Sequence, residues 1–352
     1  MQTHLIIAIL FVITIGLSFI EDYLKDIQKA IILIGYVVLM VLLATTKSIE
    51  HTADSESYEM MFYHNDNILT EIATEPTFIY LSRLVLALGG TIRAMFFIYA
   101  IITIPLKIKT LSKMTPYIFS ALLIYIPIYF EVQDMIQIRA AAAATFLLSS
   151  LLPLSRKQYL LSVILMVCGI SFHYSAMVYL PFLLIGNWRL NQTWRIIIAC
   201  TLPVLIAMYI LKKDLISIIP IDLIGGKMDF YKEATEGGDW ASGFSPLYMV
   251  YIWIKCLVLY FCLYYYDFVV KKNPLATILV NLFIVSIFVP LALSTIPVIS
   301  GRIGELYGIV DCIVFTFCLY FVRPKYIARS AIVLAGLYML LHNMLYTEYF
   351  TS

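Results

Sequence analysis

The stretch of sequence that decides the fold is DMIQIRAAAAATFLLSSLLPLSRKQYLLSVILMVCGISFHYSAMVYLP, from Asp134 to Pro181. It is apolar over most of its length, but it carries Arg139 beside five consecutive alanines and His173 between two apolar segments. Small residues let helices approach closely inside a membrane, so a guanidinium next to them is not expected to face lipid. An ionisable residue inside a membrane segment is by default a candidate functional residue.

The composition of the whole chain is that of a membrane protein. Of its 352 residues, 62% are hydrophobic and 13% are charged, and the mean hydropathy is +0.92. A soluble domain carries about 25% charged residues. Apolar runs that can form membrane-spanning helices recur along the sequence, for example Leu5–Ile20, Ala30–Ala44, Ile196–Leu211, Thr277–Leu293 and Ala331–Leu341. The sequence therefore predicts an all-α polytopic integral membrane protein. Its net charge of +2 says little about partners, and none of its basic groups suggests nucleic acid, so no nucleic-acid partner is predicted.

Basic residues predict the topology, because Lys and Arg collect in the cytoplasmic loops of membrane proteins. One topology places every basic cluster on the same side; the clusters are Lys25/Lys29, Lys107/Lys109/Lys113, Arg156/Lys157, Arg189/Arg195, Lys271/Lys272 and Arg323/Lys325/Arg329. This topology predicts about twelve spans, with a range of about ten to fourteen. They form a single transmembrane domain over residues 1–352. Both termini and two long loops, 47–75 and 212–246, lie on the outer side.

The segment near 75–90 is predicted to be an interfacial or re-entrant helix. Pro76 stands in its first turn, and Gly89 and Gly90 follow its end, which is the usual asymmetry of helix starts and stops. The helix would be about 20 Å long at 1.5 Å per residue, which is short for a crossing. Tyr159–Phe172 and Tyr174–Gly186 are also short, and they form either two spans or a helical hairpin that does not cross fully.

Under this topology the unusual polar residues share the outer face. Asp54 is either a solvated loop residue or a carboxylate that acts as a base or holds a sugar hydroxyl, and Tyr58 beside it suits sugar stacking as well as the membrane interface. Glu75 either complements a helix dipole or is held over a substrate groove, and Gln137 belongs to the same face. His173 suits a structural hydrogen bond, a general base or a donor to a phosphate. It has no second ligand at metal-binding spacing, so no metal is predicted.

The arginines are candidates for binding an anion. Arg139 either pairs with Asp134 or Glu131, or binds a phosphate in the bidentate geometry that a guanidinium favours. Arg302 and Glu305, three residues apart, either pair with each other or leave Arg302 as a second anion-binding residue. Two arginines on one side fit a pyrophosphate better than a neutral solute.

These residues lie in segments that resemble the EpsG / Wzy-type family of polysaccharide polymerases. The segments are TADSESYEMMF (52–62), EPTFIYLSRLV (75–85), the block from QIRAAAAATF to SFHYSAMVYLPFLLI (137–185) and ISGRIGELY (299–307). The block that joins Arg139 to the Phe-His-Tyr-Ser-Ala sequence at His173 is the most specific part. One departure is that Ala140 and Ala141 stand where members of the family often carry Gln or Gly.

The resemblance implies a glycosyltransferase-C-like fold and a multi-pass enzyme of the bacterial inner membrane with its active face on the periplasmic side. Such an enzyme joins undecaprenyl-pyrophosphate-linked oligosaccharide repeat units, as in O-antigen or exopolysaccharide synthesis, without a cofactor, metal or nucleotide sugar. The implied partners are the lipid-linked oligosaccharide, membrane lipids and a chain-length regulator protein.

The expected site divides by role into acid–base catalysis, pyrophosphate binding, and sugar binding or support. The residues are, in that order, Asp54, Glu75 and His173; Arg139 and Arg302; and Tyr58, Gln137 and Glu305. His173 is placed by preference near the phosphate and Asp54 near the acceptor. An O-antigen ligase, a lipid-linked oligosaccharide transporter or flippase and a non-catalytic scaffold are the alternatives. The polar residues on one face, without an internal repeat, weigh against a transporter.

Overall fold

A computed structural model describes residues 2–50, 52, 54–64, 74–211, 213, 246–294 and 297–346. No β-strand occurs among these residues, and nearly all of them lie in helices, so the prediction of an all-α protein is confirmed. The predicted outer loop 212–246 lies outside the described residues except at positions 213 and 246. Residues 65–73 of the predicted loop 47–75 lie outside them as well.

The helices divide into two units, one formed by residues 1–183 with 315–352 and the other by residues 184–314. The first unit contains α1 (Gln2–Ile20), α2 (Asp26–Thr46), α3 (Ser55–Tyr63), α4 (Pro76–Ala87), α5 (Ile92–Met114), α6 (Ile118–Tyr125), a π-helix (Ile126–Asp134), α7 (Ile138–Ser155), α8 (Tyr159–Phe172) and a 3₁₀-helix (Tyr174–Tyr179). The helix α9 (Phe182–Ile185) leads into the second unit, which contains α10 (Gln192–Ile210), α11 (Pro246–Tyr264), α12 (Tyr266–Lys272), α13 (Ala276–Ala292), α14 (Pro297–Gly308) and α15 (Asp311–Val314). The chain then returns to the first unit with a 3₁₀-turn (Phe315–Phe317), α16 (Cys318–Phe321) and α17 (Lys325–Tyr346).

Six of these helices are long and apolar enough to cross a membrane, namely α1, α2, α5, α7, α10 and α17. The number rises to eight if each of two bent helix pairs counts as one span. The number and composition of these helices are those of a polytopic membrane protein. The count of about twelve spans, the single domain and the glycosyltransferase-C-like arrangement stay predictions.

The predicted short helix near 75–90 is present as α4. It begins directly after Glu75, with Pro76 as its first residue. The amides of Gly89 and Gly90 donate to the carbonyls of Leu86 and Val85 at its end. Gly89 has φ +74°, a left-handed conformation that glycine adopts without strain. Twelve residues give about 18 Å, so α4 falls short of a membrane crossing.

The helix that carries Arg139 begins at Ile138, after a π-helix and a short break. The preceding π-helix runs from Ile126 to Asp134. Gln137, with ψ +59°, has a non-helical conformation and separates the π-helix from α7, which starts at Ile138. Arg139 is therefore the second residue of α7. Four of the five alanines that follow it, Ala141–Ala144, are buried, and Ala140 is half-buried, as the prediction of close helix packing requires.

The contact between α7 and α8 depends on small residues. A Cβ atom built on Gly169 would stand 3.2 Å from the carbonyl oxygen of Ala143 and 3.4 Å from Leu147. The two backbones approach this closely because neither side chain intervenes. Their contact fixes the end of α8, and with it the position of His173.

Two of the basic residues used for the topology are buried ion-pair partners inside helices. Arg329 lies within α17, and its Nη2 donates to Asp22 Oδ2 at 2.7 Å. Lys107 lies inside α5 rather than in a loop. It is fully buried, and its ammonium donates to Asp134 Oδ1 at 2.8 Å. The Tyr125 hydroxyl donates to the other oxygen of Asp134 at 2.5 Å. Lys107 is therefore an internal ion-pair partner and gives no information about loop sidedness.

Candidate functional site

Glu75 joins two side chains that come from distant parts of the chain. Its Oε2 accepts a hydrogen bond from Arg139 Nη1 at 2.5 Å, and its Oε1 lies 2.5 Å from His173 Nδ1. The backbone N–H of Tyr174 points at the same Oε1 from 3.4 Å. The carboxylate itself is almost fully buried, whereas the side chains of Arg139 and His173 each keep 18% of their surface exposed. We refer to Glu75, Arg139 and His173 as the bridged cluster.

The ends of three helices position the bridged cluster. Glu75 precedes the first residue of α4, Arg139 stands in the first turn of α7, and His173 ends α8. His173 has φ −158° and ψ 119°, an extended conformation that separates α8 from the following 3₁₀-helix. The hydroxyl of Thr77 donates to the carbonyl of Ser171 at 2.6 Å and ties the start of α4 to the end of α8.

Aromatic rings form the floor beneath Arg139. The guanidinium carbon lies 5.4 Å from the ring centre of Tyr58 and 5.8 Å from that of Phe78. Tyr58 and Phe78 belong to a buried aromatic cluster that includes Tyr99 and Phe172. A cation over such faces is attracted by their π electrons. The guanidinium also hydrogen-bonds the Tyr58 side chain, and its Nε is buried without a hydrogen-bond partner among the described residues.

Glu75 is the carboxylate whose charge this environment fixes most strongly. Burial alone would raise its pKa, but the hydrogen bond from His173 and the charge of Arg139 outweigh burial and lower the pKa to about 2. Glu75 is thus ionised at every physiological pH. Burial raises the pKa of Tyr58, and the nearby Arg139 opposes that effect, so Tyr58 stays a neutral phenol under the guanidinium.

The other predicted site residues of the first unit have different environments. Asp54 is exposed, adopts φ +62° and precedes α3 without a side-chain cap. No hydrogen bond or ion pair joins its side chain to the bridged cluster in the described structure. Tyr58 is buried beneath Arg139, and Gln137 is half-buried at the start of α7. Of the predicted acid–base residues, the structure therefore joins Glu75 to His173 directly, whereas Asp54 reaches the cluster only through its charge, which acts on Tyr58.

The second predicted anion-binding residue, Arg302, belongs to the second unit. It is exposed on α14, and Glu305 is half-buried one turn further along the same helix. Arg139 belongs to the first unit, so the predicted meeting of Arg302 with Arg139 stays a prediction.

The two acidic partners first considered for Arg139 bind elsewhere. Asp134 holds Lys107, as described above, and Glu131 accepts a hydrogen bond from Asn343 at 3.1 Å and lies 3.4 Å from His4. A pairing of Arg139 with either of them is wrong. Glu75 takes that place because α7 starts at Ile138, so Arg139 sits at the helix end next to the start of α4.

The role of Lys47 is not predicted from the sequence, which places it only as the first residue of the outer loop 47–75. Its side chain is buried, its ammonium donates to the carbonyl of Met135, and the ammonium lies 4.2 Å from the ring centre of Phe96. Burial lowers the pKa of Lys47 to about 7, while Asp54 opposes this shift. Through Met135, Lys47 holds the break that precedes α7. A lysine at the end of an apolar run carries no pattern that would reveal this contact.

The fold and the site together define a polytopic helical membrane protein that holds a guanidinium and an imidazole on one buried carboxylate. No group of three or more His, Cys, Asp or Glu residues in the described part of the chain is arranged to hold a metal ion. The chain belongs to the EpsG family, a Wzy-type polymerase family, with a match that covers residues 29–352. This confirms the resemblance seen in the sequence motifs. Comparisons with curated proteins and with solved structures found no match.

Proposed function

We propose that the protein polymerises undecaprenyl-pyrophosphate-linked oligosaccharide repeat units on the periplasmic face of a bacterial inner membrane. Membership of the EpsG family supports a polysaccharide polymerase. The observation that carries the chemical proposal is the bridge that Glu75 makes between Arg139 and His173. It holds an anion-binding group and a proton-accepting group at fixed positions on one carboxylate.

Arg139 is the group that binds the leaving pyrophosphate in this proposal. Its side chain keeps 18% of its surface exposed, and the bond to Glu75 uses Nη1, so the exposed part of the guanidinium can donate to phosphate oxygens. Negative charge grows on the leaving group as the glycosidic bond breaks. Preorganised donors aimed at such developing charge usually give the largest catalytic contribution. Arg302 is the proposed second donor, and Glu305 its support.

His173 is the proposed general base, with Glu75 as its positioning residue. A carboxylate at Nδ1 favours the tautomer that carries the proton on Nδ1, which leaves Nε2 with a lone pair. The acceptor hydroxyl oxygen forms a bond to C1 of the donor sugar, and its proton passes to Nε2. The C1–O bond to the pyrophosphate breaks, and undecaprenyl pyrophosphate leaves with the electron pair. General-base help of this kind is worth about 10²–10⁴ in rate.

The proposed reaction uses guanidinium groups where other glycosyltransferases use a divalent cation. A guanidinium binds phosphate oxygens bidentately and stays charged at all relevant pH values. Activity in membranes treated with a chelator is therefore expected to equal untreated activity. Asp54, Tyr58 and Gln137 are proposed to contact or support the acceptor sugar, and a chain-length regulator protein is a proposed partner.

The test expresses variants in a strain that lacks its own polymerase and examines the lipid-linked polysaccharide by gel. Arg139→Ala and His173→Asn are expected to leave single repeat units, and Arg139→Lys to restore only a weak ladder because the bidentate geometry is lost. Arg156→Ala is the matched control, since Arg156 is an exposed arginine at the other end of α7. It is expected to give the wild-type ladder.

Two results would contradict the proposal. A full ladder from Arg139→Ala at wild-type protein level would show that Arg139 does not bind the leaving group. Long lipid-linked polymer that accumulates in the null strain would indicate a ligase instead of a polymerase.

A further inference from the structure

A cleft in the second unit opens between α10 and α11. Its volume is about 790 Å³, within the range of about 300–1,000 Å³ that small-molecule sites occupy. Its walls are apolar and include Ile196, Leu257 and Phe261. The Tyr260 hydroxyl donates to the carbonyl of Ala199 at 3.0 Å and holds the two helices together across the cleft.

One end of the cleft is polar and positively charged. Gln192 and Arg195 line it, and Arg195 Nη2 lies 3.1 Å from Asp267 Oδ2. Arg189 Nη2 binds the other oxygen of the same carboxylate at 3.0 Å. Among the described residues, one carboxylate thus serves two guanidinium groups, which leaves a net positive charge there. The Nε of Arg195 is buried and has no partner within the described residues.

The surroundings of this end have the composition of a membrane–water interface. Trp188 and Trp194 pack edge to face with ring centres 5.1 Å apart, and both are exposed. The helix α12, with Lys271 and Lys272 in its last turn, turns by 82° from the axis of α11. Tryptophan and basic residues together are typical of the headgroup level of a bilayer. The apolar walls therefore lead from headgroup level toward the hydrocarbon.

We propose that this cleft binds one anionic glycerophospholipid, with an acyl chain along the apolar walls and the phosphate on Arg195 and Gln192. Charge complementarity selects this occupant. The excess positive charge favours an anionic headgroup, whereas the choline of a zwitterionic headgroup would bring a second cation to the same place. The site lies entirely within the second unit and does not depend on the polymerase reaction proposed above.

The experiment measures the thermal unfolding midpoint of the full-length protein in detergent as lipid is titrated in. Phosphatidylglycerol is compared with phosphatidylcholine of the same acyl chains. Phosphatidylglycerol is expected to raise the midpoint and phosphatidylcholine to leave it nearly unchanged. Arg195→Gln is expected to weaken the apparent affinity for phosphatidylglycerol at least about tenfold, the size expected for the loss of a charge-assisted hydrogen bond.

Two further variants separate the cleft from general charge effects. Ala199→Phe, which fills the cleft without altering the basic residues, is expected to abolish the increase in midpoint. Arg156→Gln, an exposed arginine of the first unit, is expected to keep it. Equal increases in wild type and in Ala199→Phe would overturn the proposal, even if Arg195→Gln failed to fold. An equal increase in the midpoint with phosphatidylcholine would overturn the proposal as well. So would an increase with undecaprenyl phosphate, titrated as a third lipid, when phosphatidylglycerol gives none.

Discussion

Replacing Glu75 by glutamine tests the bridged cluster most directly. The change keeps the shape of the side chain but removes the charge that Arg139 and His173 share. Arg139 then stays in a partly buried position over Tyr58 and Phe78 without its carboxylate. Removing one partner of a buried ion pair is much more costly than the net value of the pair, because the other charge is left uncompensated.

The magnitude follows from the pKa of Glu75. A lowering from 4.5 to about 2 on folding corresponds to roughly 3 kcal/mol at about 1.36 kcal/mol per pKa unit. Because the folded pKa lies below the unfolded one, this stabilisation is complete above about pH 4.5. It is lost as the pH falls toward 2. The wild-type protein should therefore lose stability across this window, and Glu75→Gln should lack that part of the pH dependence.

The assay is thermal unfolding of the purified protein in detergent at pH 7 and at steps down to about pH 3. Glu75→Gln is expected to unfold several degrees below wild type at pH 7, and the two midpoints should converge as the pH falls. Glu56→Gln is the matched control, since Glu56 is exposed on α3. It should follow the wild-type curve. A Glu75→Gln midpoint that stays parallel to wild type at all pH values would refute the assignment of the lowered pKa to Glu75.

Two further predictions concern the support of the site. Burial lowers the pKa of Lys47 to about 7 in the folded protein, so the unfolded state binds the Lys47 proton more tightly than the folded state does. The stability of the fold should therefore rise with pH between about 7 and 10. Lys47→Met should remove that rise from a series of unfolding midpoints, and an unchanged rise would assign it to another group. Gly169→Ala places a methyl group 3.2 Å from the carbonyl of Ala143 and should cost about 1–3 kcal/mol by overpacking. Gly16→Ala, where the added atom meets nothing within 4 Å, should not lower the midpoint, because Ala favours a helix interior over Gly. Equal midpoints for the two variants would contradict the close packing of α7 on α8.

Those features of the fold that depend on local chemistry could be predicted from the sequence. Hydropathy indicated the membrane class, and Pro76 with Gly89 marked the ends of α4. The late start of α7 could not be predicted, because a π-helix depends on the helices around it rather than on a local pattern. Composition does not distinguish a loop lysine from a buried one either, so Lys47 and Lys107 were both misplaced. Their environments are set by carbonyl and carboxylate groups that lie far away in the sequence.

In the candidate site, too, the individual residues could be predicted from the sequence, but their contacts with one another could not. Polar exceptions in apolar segments pointed to Glu75, Arg139 and His173 individually, since each is expensive to bury without a partner. Spacing along the chain could not show that Glu75 serves both of the others. The partners lie 64 and 98 residues away from it, and only the ends of α4, α7 and α8 bring them together.

The placement of Arg139 has an energetic consequence for the proposed reaction. The N-terminal end of a helix carries partial positive charge and unsatisfied N–H groups, so a guanidinium in the first turn of α7 adds like charge to that end. Glu75 offsets this cost in the resting protein by binding one edge of the guanidinium. A pyrophosphate at the same helix end would meet both the N–H groups and the remaining donors of Arg139, and it would compete with Glu75 for the guanidinium. Any weakening of the bond between Glu75 and Arg139 would leave the carboxylate of Glu75 bound mainly to His173 Nδ1. Binding of the donor lipid would then leave Glu75 to orient the imidazole of the proposed base at the step that requires it.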